Sequence, residues 1–94
     1  MPTRLIPAAR LGGTINVDLR GLRVDEALIR LDEALDLAAA EGRDEIHILH
    51  GIGTGVLRRA VRDHLSHSHY ILEWTPAMRD EGGPAATRAI LMKE

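Results

Sequence analysis

The strongest constraint on the fold is a stripe of apolar residues that recurs every three or four positions. Its members are Val24, Ala27, Leu28, Leu31, Ala34, Leu35 and Ala38. This spacing places all of them on one face of an α-helix. Asp25 and Glu26 suit the first turn of such a helix, and Gly42 suits its end. The sequence therefore predicts an amphipathic helix over residues 24–41 that packs against a second layer.

Strand patterns lie on both sides of this helix. Residues 14–21, TINVDLRG, alternate apolar and polar side chains, and residues 45–50, EIHILH, form a short aliphatic run. A second helix is predicted to begin at Thr54 or Gly55. Its apolar face comprises Val56, Leu57, Ala60, Val61, His64 and Leu65. The remaining predicted segments are strands over residues 70–74 and 86–92, with a turn-rich loop over residues 75–84.

The order strand, helix, strand, helix, strand, strand predicts a two-layer α/β sandwich. Connections through a helix join parallel strands, whereas the short loop between the last two strands allows antiparallel pairing. We therefore expect a mixed four-stranded sheet with both helices on one face. Residues 1–13 contain two prolines and a Gly-Gly pair without periodicity, so they are predicted to be a linker or tail before a domain over residues 14–94.

Composition narrows the class of protein. The 94 residues contain no Cys, no Phe, one Trp and one Tyr, so the core must be aliphatic and base stacking is expected to contribute little to binding. The absence of Cys excludes a thiolate metal site and a cysteine nucleophile, and it fits a reducing cytoplasm. No apolar run approaches the ~18 to 20 residues that span a bilayer. We expect a cytoplasmic domain that does not enter a membrane.

Charge is segregated along the chain. Residues 24–45 carry eight acidic residues against two arginines, a net charge of −6, whereas residues 46–72 carry three arginines against Asp63, a net charge of +2. This pattern would give a mildly acidic molecule a basic patch for a polyanion, although solvated helix faces of mixed sign remain an alternative. The acidic helix is also a candidate surface for docking another protein.

Candidate catalytic residues follow the first two predicted strands, where ligands usually bind in sheets of this type. Asp18 could orient a water molecule, Arg20 could stabilise charge on phosphorus, and His50 could move a proton. These residue types predict phosphodiester hydrolysis. Asp18 as a loop cap and His50 as a turn-fixing residue remain the structural alternatives.

A glycine-rich segment precedes the second predicted helix. Glycines at 51, 53 and 55 permit positive φ angles and expose amide groups at a helix start, which favours phosphate binding. The G-x-G-x-G spacing of Gly51, Gly53 and Gly55 differs from both nucleotide-cofactor loops, so a simple tight turn is the alternative. Three arginines on the helix are predicted to point away from the core and could follow a nucleic-acid backbone: Arg58, Arg59 and Arg62. A solvated basic face with Asp63 as an internal partner is the alternative.

The sequence offers one candidate ligand for a metal ion, Asp18. A divalent cation such as Mg²⁺ or Mn²⁺ could be held by Asp18, and metal-independent hydrolysis is the alternative. His64 lies on the predicted helix, whereas His67 and His69 lie in a Ser-rich turn, so no metal is predicted there.

Two motifs in this order resemble a known family. VDLRG at residues 17–21 resembles the opening Leu-Asp-Leu-His/Arg-Gly motif of the small MutS-related (Smr) domain, and HGIGTGVLRRAV at residues 50–61 resembles its His-Gly-Lys-Gly-x-Gly-x-Leu-Arg motif. The resemblance covers about residues 14–92. With Arg20 in the opening motif, the chain is most similar to the Smr domain of bacterial MutS-type ATPases that suppress recombination.

The resemblance implies a fold like that of the C-terminal domain of bacterial translation initiation factor three. It further implies endonuclease activity on DNA or RNA, with the ribosome and the rest of a longer ATPase as partners. Asp18 and Arg20 match the motif tied to cleavage, whereas His50, the three loop glycines and Arg58 match the motif tied to nucleic-acid contact. The competing hypothesis is a non-catalytic nucleic-acid or ribosome-binding module of a larger ATPase that rescues collided ribosomes.

Two positions depart from the family pattern. Arg20 stands where many RNA-cleaving relatives have a histidine, and an arginine that stays protonated is a poor general base. Ile52 stands where a lysine is usual, so the three helix arginines must supply more of the basic surface.

Overall fold

The computed structural model describes residues 10–93, so most of the predicted linker lies outside the described residues. The chain forms β1 (Thr14–Asp18), α1 (Val24–Ala40), β2 (Glu45–Leu49), α2 (Val56–Ser66), β3 (Ile71–Pro76) and β4 (Ala86–Leu91), with two short 3₁₀ turns, Arg79–Glu81 and Gly83–Ala85, before β4. The predicted order of elements is therefore confirmed.

The four strands form one mixed sheet in the order β1-β2-β4-β3. β1 and β2 are parallel, and β4 runs antiparallel to both β2 and β3. β3 is thus parallel to β2 but separated from it by the last strand. Both helices pack on one face of the sheet and against each other. This is the predicted two-layer sandwich.

Helix α1 begins and ends where its sequence favours it. The Glu26 carboxylate accepts the Arg23 backbone N–H at 3.1 Å, which satisfies one amide before the first turn. At the other end, Gly42 has a φ of 64°, and the Arg43 N–H donates to the Ala38 carbonyl at 2.9 Å. The positive φ of Gly42 and this hydrogen bond end the helix at the position that the sequence predicts.

The core is aliphatic, as the composition requires. From α1 it receives the predicted stripe, with Ala27, Leu31, Leu35 and Ala38 buried. The other buried members of the main cluster are Leu19, Ile46, Ile48, Val61, Leu65, Ile71, Ala89 and Leu91. One predicted core position is wrong: Val56 is 55% exposed, because it is the first residue of α2 and Leu57 takes the inward position.

Residues 10–13 contact the turn that follows α1. The Leu11 N–H donates to the Glu41 carbonyl at 2.9 Å, and the Gly12 N–H donates to the Gly42 carbonyl at 3.0 Å. The described end of the predicted linker is therefore attached to the domain, and a boundary after residue 13 stays a prediction. None of the helices within residues 10–93 is long and apolar enough to cross a membrane.

Candidate nucleic-acid interface

The parallel pairing of β1 and β2 brings the two predicted motifs to one edge of the sheet. Asp18 is in register with Leu49, and the Leu19 N–H donates to the Leu49 carbonyl at 2.8 Å. The turn after β1 and the glycine loop, which we define as residues 50–55, therefore leave the sheet side by side. This juxtaposition is the one expected for a site at the carboxyl ends of parallel strands.

Asp18 and Arg20 form an exposed ion pair. The Arg20 Nε and Nη2 atoms donate to the two Asp18 carboxylate oxygens at 3.0 and 2.8 Å, and the Arg20 backbone N–H donates to Oδ1 at 3.0 Å. The Arg20 hydrogen bonds lower the pKa of Asp18 to about 2, and the positive charge of Arg30 acts in the same direction. Asp18 is consequently a carboxylate with very weak basicity, and the pKa of Arg20 is raised in turn.

Arg20 connects this pair to the glycine loop. A Cβ atom added to Gly51 would lie 3.5 Å from the Arg20 Cγ atom, so the arginine stem runs directly against the loop backbone. Beside this contact, residues 22–24 and the glycine loop enclose a shallow cleft of about 280 Å³. The Arg20 stem and the cleft are therefore both next to the glycine loop.

His50 is buried and makes hydrogen bonds through both ring nitrogens. Its exposed fraction is 4%; Nδ1–H donates to the Gly51 carbonyl at 2.8 Å, and Nε2 lies 2.9 Å from the Thr87 Oγ1 atom. Because a carbonyl can only accept, Nε2 carries the lone pair and the Thr87 hydroxyl donates to it. Burial lowers the pKa of His50, and the charges of Arg62 and Arg58 lower it further. His50 therefore links the glycine loop to β4, and neither of its ring nitrogens is hydrogen-bonded to Asp18.

Thr87 links this histidine to helix α2. Thr87 is fully buried in β4. Its Oγ1 atom accepts a hydrogen bond from the Arg62 Nε–H at 2.9 Å, and its hydroxyl donates one to His50 Nε2. Sequence analysis did not identify Thr87 as a site residue. The available signal was weak: a hydroxyl residue among the small and apolar side chains of a predicted buried strand.

The glycine loop leaves backbone amides free at the start of α2. Gly51, Gly53 and Gly55 have φ angles of 83°, 39° and 88°. The Ile52, Gly53, Thr54, Leu57 and Arg58 amides make no hydrogen bond to any described residue. No acidic side chain lies in the first turn of α2, so the helix dipole adds positive potential that nothing there neutralises.

The arginine groove lies along the outer face of α2. We define it by its lining residues, which are Gly55, Arg58, Arg59, Arg62, Asp63, Ser66 and Trp74, and its volume is about 360 Å³. Arg59 is exposed as predicted and Arg58 is half-buried. The prediction that all three arginines point away from the core is wrong for Arg62, which turns inward to Thr87 and places its guanidinium carbon 4.9 Å from the Trp74 ring centroid.

A resident metal has little support from these side chains. Over residues 10–93, no group of three or more His, Asp or Glu residues is arranged to hold a metal ion. Asp18 is a lone carboxylate, and both of its oxygens accept hydrogen bonds from Arg20. Mg²⁺ or Mn²⁺ would have to displace a guanidinium to bind there, so the residues present do not form a ready site.

Comparison with solved structures identifies the class of fold. The Smr domain of Thermus thermophilus MutS2 superposes with a TM-score of 0.82 at 42% identity, covering 84% of this chain and 99% of that domain. YdaL, a stand-alone small MutS-related protein from Escherichia coli, has a TM-score of 0.79 at 23% identity over 83% of this chain and 64% of its own. At that identity, the likeness to YdaL shows the fold alone.

The chain belongs to the Smr domain family, whose model matches residues 17–92. Among curated relatives, proteins named Endonuclease MutS2 from Anaeromyxobacter sp. strain Fw109-5 and Lactobacillus acidophilus are 44% and 39% identical over 81 and 90 residues. The matches cover 86% and 92% of this chain but only 10% and 12% of the relatives. The chain thus spans about a tenth of the length of the curated relatives it matches.

Proposed function

We propose that this domain cleaves phosphodiester bonds in DNA, with RNA as the alternative substrate, as part of a longer MutS-related ATPase. The observation that carries the proposal is the contact between Arg20 and the glycine loop, which joins an acid–guanidinium pair to free backbone amides. Membership of the Smr family and the name Endonuclease MutS2 of its relatives support the same activity.

The glycine loop supplies the binding half of the site. A phosphate oxygen can accept hydrogen bonds from the free amides of residues 52–54, at the positive end of the α2 dipole. The Arg58 guanidinium lies beside Gly55 at the end of this loop, since a Cβ atom on Gly55 would be 3.0 Å from its Nη2 atom. The family motif usually has a lysine where this chain has Ile52. The loop amides and Arg58 therefore supply the hydrogen-bond donors and positive charge that this lysine would provide.

Asp18 and Arg20 supply the chemistry. With a pKa of about 2, Asp18 stays ionised and orients an attacking water as a hydrogen-bond acceptor. A phosphate that approaches Arg20 draws the guanidinium toward itself, which frees a carboxylate oxygen for that water. The water oxygen bonds to phosphorus and releases a proton to solvent as the ester bond breaks. The leaving oxygen takes up a proton from solvent, and Arg20 stabilises the developing charge.

His50 acts as a positioning residue in this proposal. Its two ring nitrogens are committed to Gly51 and Thr87, and burial keeps the ring neutral. It therefore fixes the carbonyl and the direction of the glycine loop, and it does not exchange a proton with substrate.

A non-catalytic binding module is the second candidate function. It is favoured by the same ion pair, because Arg20 donates to both of the Asp18 oxygens that would have to orient a water. Suppression of recombination and rescue of collided ribosomes by a parent protein stay predictions from the family resemblance.

Nicking of supercoiled plasmid by purified domain tests the catalytic proposal. Asp18→Asn removes the charge that orients water, so we expect a loss of about 100-fold or more in nicking rate, with DNA affinity retained. Arg20→Lys keeps a charge but loses the bidentate geometry, and should lower the rate as well. Asp25→Asn, at an exposed acid in the first turn of α1, is the matched control and should nick like wild type.

Equal nicking by wild type and Asp18→Asn would contradict the proposal. If neither protein nicks but both bind DNA with a strong salt dependence, the domain is a binding module. In that case Arg58→Ala combined with Arg59→Ala should reduce the salt slope by about 2, one for each lost phosphate contact.

A further inference from the structure

We propose that the arginine groove holds an unpaired nucleotide whose base stacks on the Arg62–Trp74 pair. The inference rests on the proposed nucleic-acid function and extends it, because it specifies the form of strand that the domain takes. It also revises the expectation from composition that aromatic stacking contributes little here.

The pair is held in place by bonds on both partners. The Trp74 indole N–H donates to the Ser66 Oγ atom at 2.9 Å, and the Ser66 hydroxyl donates to the Arg62 carbonyl at 2.9 Å. Arg62 is anchored through Nε to the buried Thr87. A planar cation over an indole that is fixed in this way offers a preformed surface on which a base can stack.

Arg62 retains donors for the strand. Its Nε atom is used by Thr87, whereas its two terminal nitrogens make no hydrogen bond to any of residues 10–93. Those nitrogens can donate to a phosphate or to the edge of a base while the guanidinium plane lies between base and indole. Both faces of the arginine are thereby used.

The groove continues from the glycine loop. Gly55 and Arg58 line both the groove and the cleft beside the loop, so a strand bound at the loop amides can pass directly along α2. The distance along the helix from Gly55 to Ser66 is roughly 16 Å, at about 1.5 Å per residue. The strand therefore reaches Trp74 a few nucleotides from the phosphate held by the loop.

Charge favours a polyanion, and the position of the pair favours an unpaired strand. The groove is lined by three arginines and a single acid, Asp63, whose Oδ1 atom lies 3.8 Å from the His67 Nδ1 atom. Bases inside a duplex are stacked on their neighbours and cannot reach a side chain beside the backbone. An unpaired base, as at a branch or a frayed end, can turn toward the pair.

The sole tryptophan makes this proposal measurable by intrinsic fluorescence. Titrations would use a short single-stranded DNA, an abasic strand of the same length, the corresponding duplex and the RNA version of the strand. We expect quenching of Trp74 by the base-containing strand, and about tenfold tighter binding of that strand than of the abasic strand. The titration with RNA then shows whether the sugar affects the affinity of the groove for a single strand.

Two variants separate stacking from charge. Arg62→Lys keeps the positive charge but loses the plane, so the preference for base-containing over abasic strand should fall severalfold. Arg79→Lys changes an exposed arginine that lines neither the groove nor the cleft, so it should leave that preference unchanged. Because the wild-type comparison needs no substitution, the test does not depend on either variant folding.

Equal affinity and equal quenching for the base-containing and abasic strands would overturn the proposal, and the groove would then hold backbone alone. Binding of duplex as tight as that of the single strand would also overturn it. Plasmid nicking that persists in either case leaves the catalytic proposal intact. Base-dependent quenching without nicking removes the catalytic proposal and leaves this one.

Discussion

Two polar clusters meet at the same edge of the sheet and differ in almost every physical respect. The Arg20 and Asp18 side chains are 59% and 53% exposed and bond to each other, whereas His50 and Thr87 are 4% and 0% exposed and join a network that includes Arg62. Exposed ion pairs contribute little to stability, so a substrate can exchange with one at low cost. Buried polar groups are costly to leave unpaired.

The difference assigns separate tasks to the two clusters. Under the proposed function, the exposed pair keeps its charges within reach of a phosphate, and the buried network fixes the loop backbone that would bind it. A substitution in the first cluster should therefore change chemistry with little change in folding. A substitution in the second should change the free energy of unfolding first.

The largest expected effect on stability comes from Thr87→Val. The change keeps the volume but leaves the His50 Nε2 atom without a donor and the Arg62 Nε–H without an acceptor. We expect the free energy of unfolding to fall by about 1–3 kcal/mol, measured by urea denaturation. Thr87→Ser keeps the hydroxyl and should recover most of the loss. A Thr87→Val protein as stable as wild type would show that the network is dispensable.

A smaller effect is expected from the glycine that begins α2. Gly55 has a φ of 88°, and an added Cβ would lie 3.0 Å from Arg58, so Gly55→Ala should cost about 1–2 kcal/mol. Gly53 has a φ of 39° with nothing within 4 Å, which makes Gly53→Ala the matched control with a smaller cost. Thermal or urea unfolding of both variants measures the contrast. Equal costs would mean that the close approach to Arg58 has no energetic weight.

The smallest expected effect is a difference in how the stability contributions of the two clusters depend on pH. Burial holds the pKa of His50 below its usual 6.5, so its contribution to stability is present above that value and is lost as the pH falls through the lowered pKa. Asp18 has a pKa lowered from 3.8 to about 2, so its contribution persists to much lower pH and is lost as the pH falls through about 2. NMR titration of each group checks both directions. A His50 ring that titrates at or above 6.5 would contradict its burial. For Asp18, the variant Arg20→Ala removes the hydrogen bonds that lower the pKa, so the pKa should return toward 3.8.

Periodicity was sufficient to predict the fold. The stripe in α1, the alternation in β1 and the order of elements gave the mixed sheet and the position of both helices. The exposure of Val56 was missed because helical periodicity continues to the first residue of α2, whereas the packed layer does not. Patterns of this kind report which face a residue lies on, and they weaken at the ends of elements.

The site was predictable only in part, for a different physical reason. Sequence order placed Asp18, Arg20 and the glycine loop at one edge, because parallel strands end together. The partner of His50 is Thr87, which is 37 residues away in sequence. Thr87 belongs to β4, the last strand of the chain, which lies between β2 and β3 in the sheet. Arg62 leaves the exposed side of α2, yet its long stem carries the guanidinium back to the sheet. Such contacts depend on topology and side-chain reach, which periodicity does not encode.

The central position of β4 has a consequence for when the site is assembled. The His50 and Gly51 amides both donate to the carbonyl of Ala85, at the entry to the last strand, and Thr87 follows two residues later. A chain synthesised only as far as β3 therefore has both motifs but lacks the hydrogen-bond partners that shape the glycine loop. A chain that ends before Ala85 thus carries both signature motifs without the hydrogen bonds that shape the glycine loop.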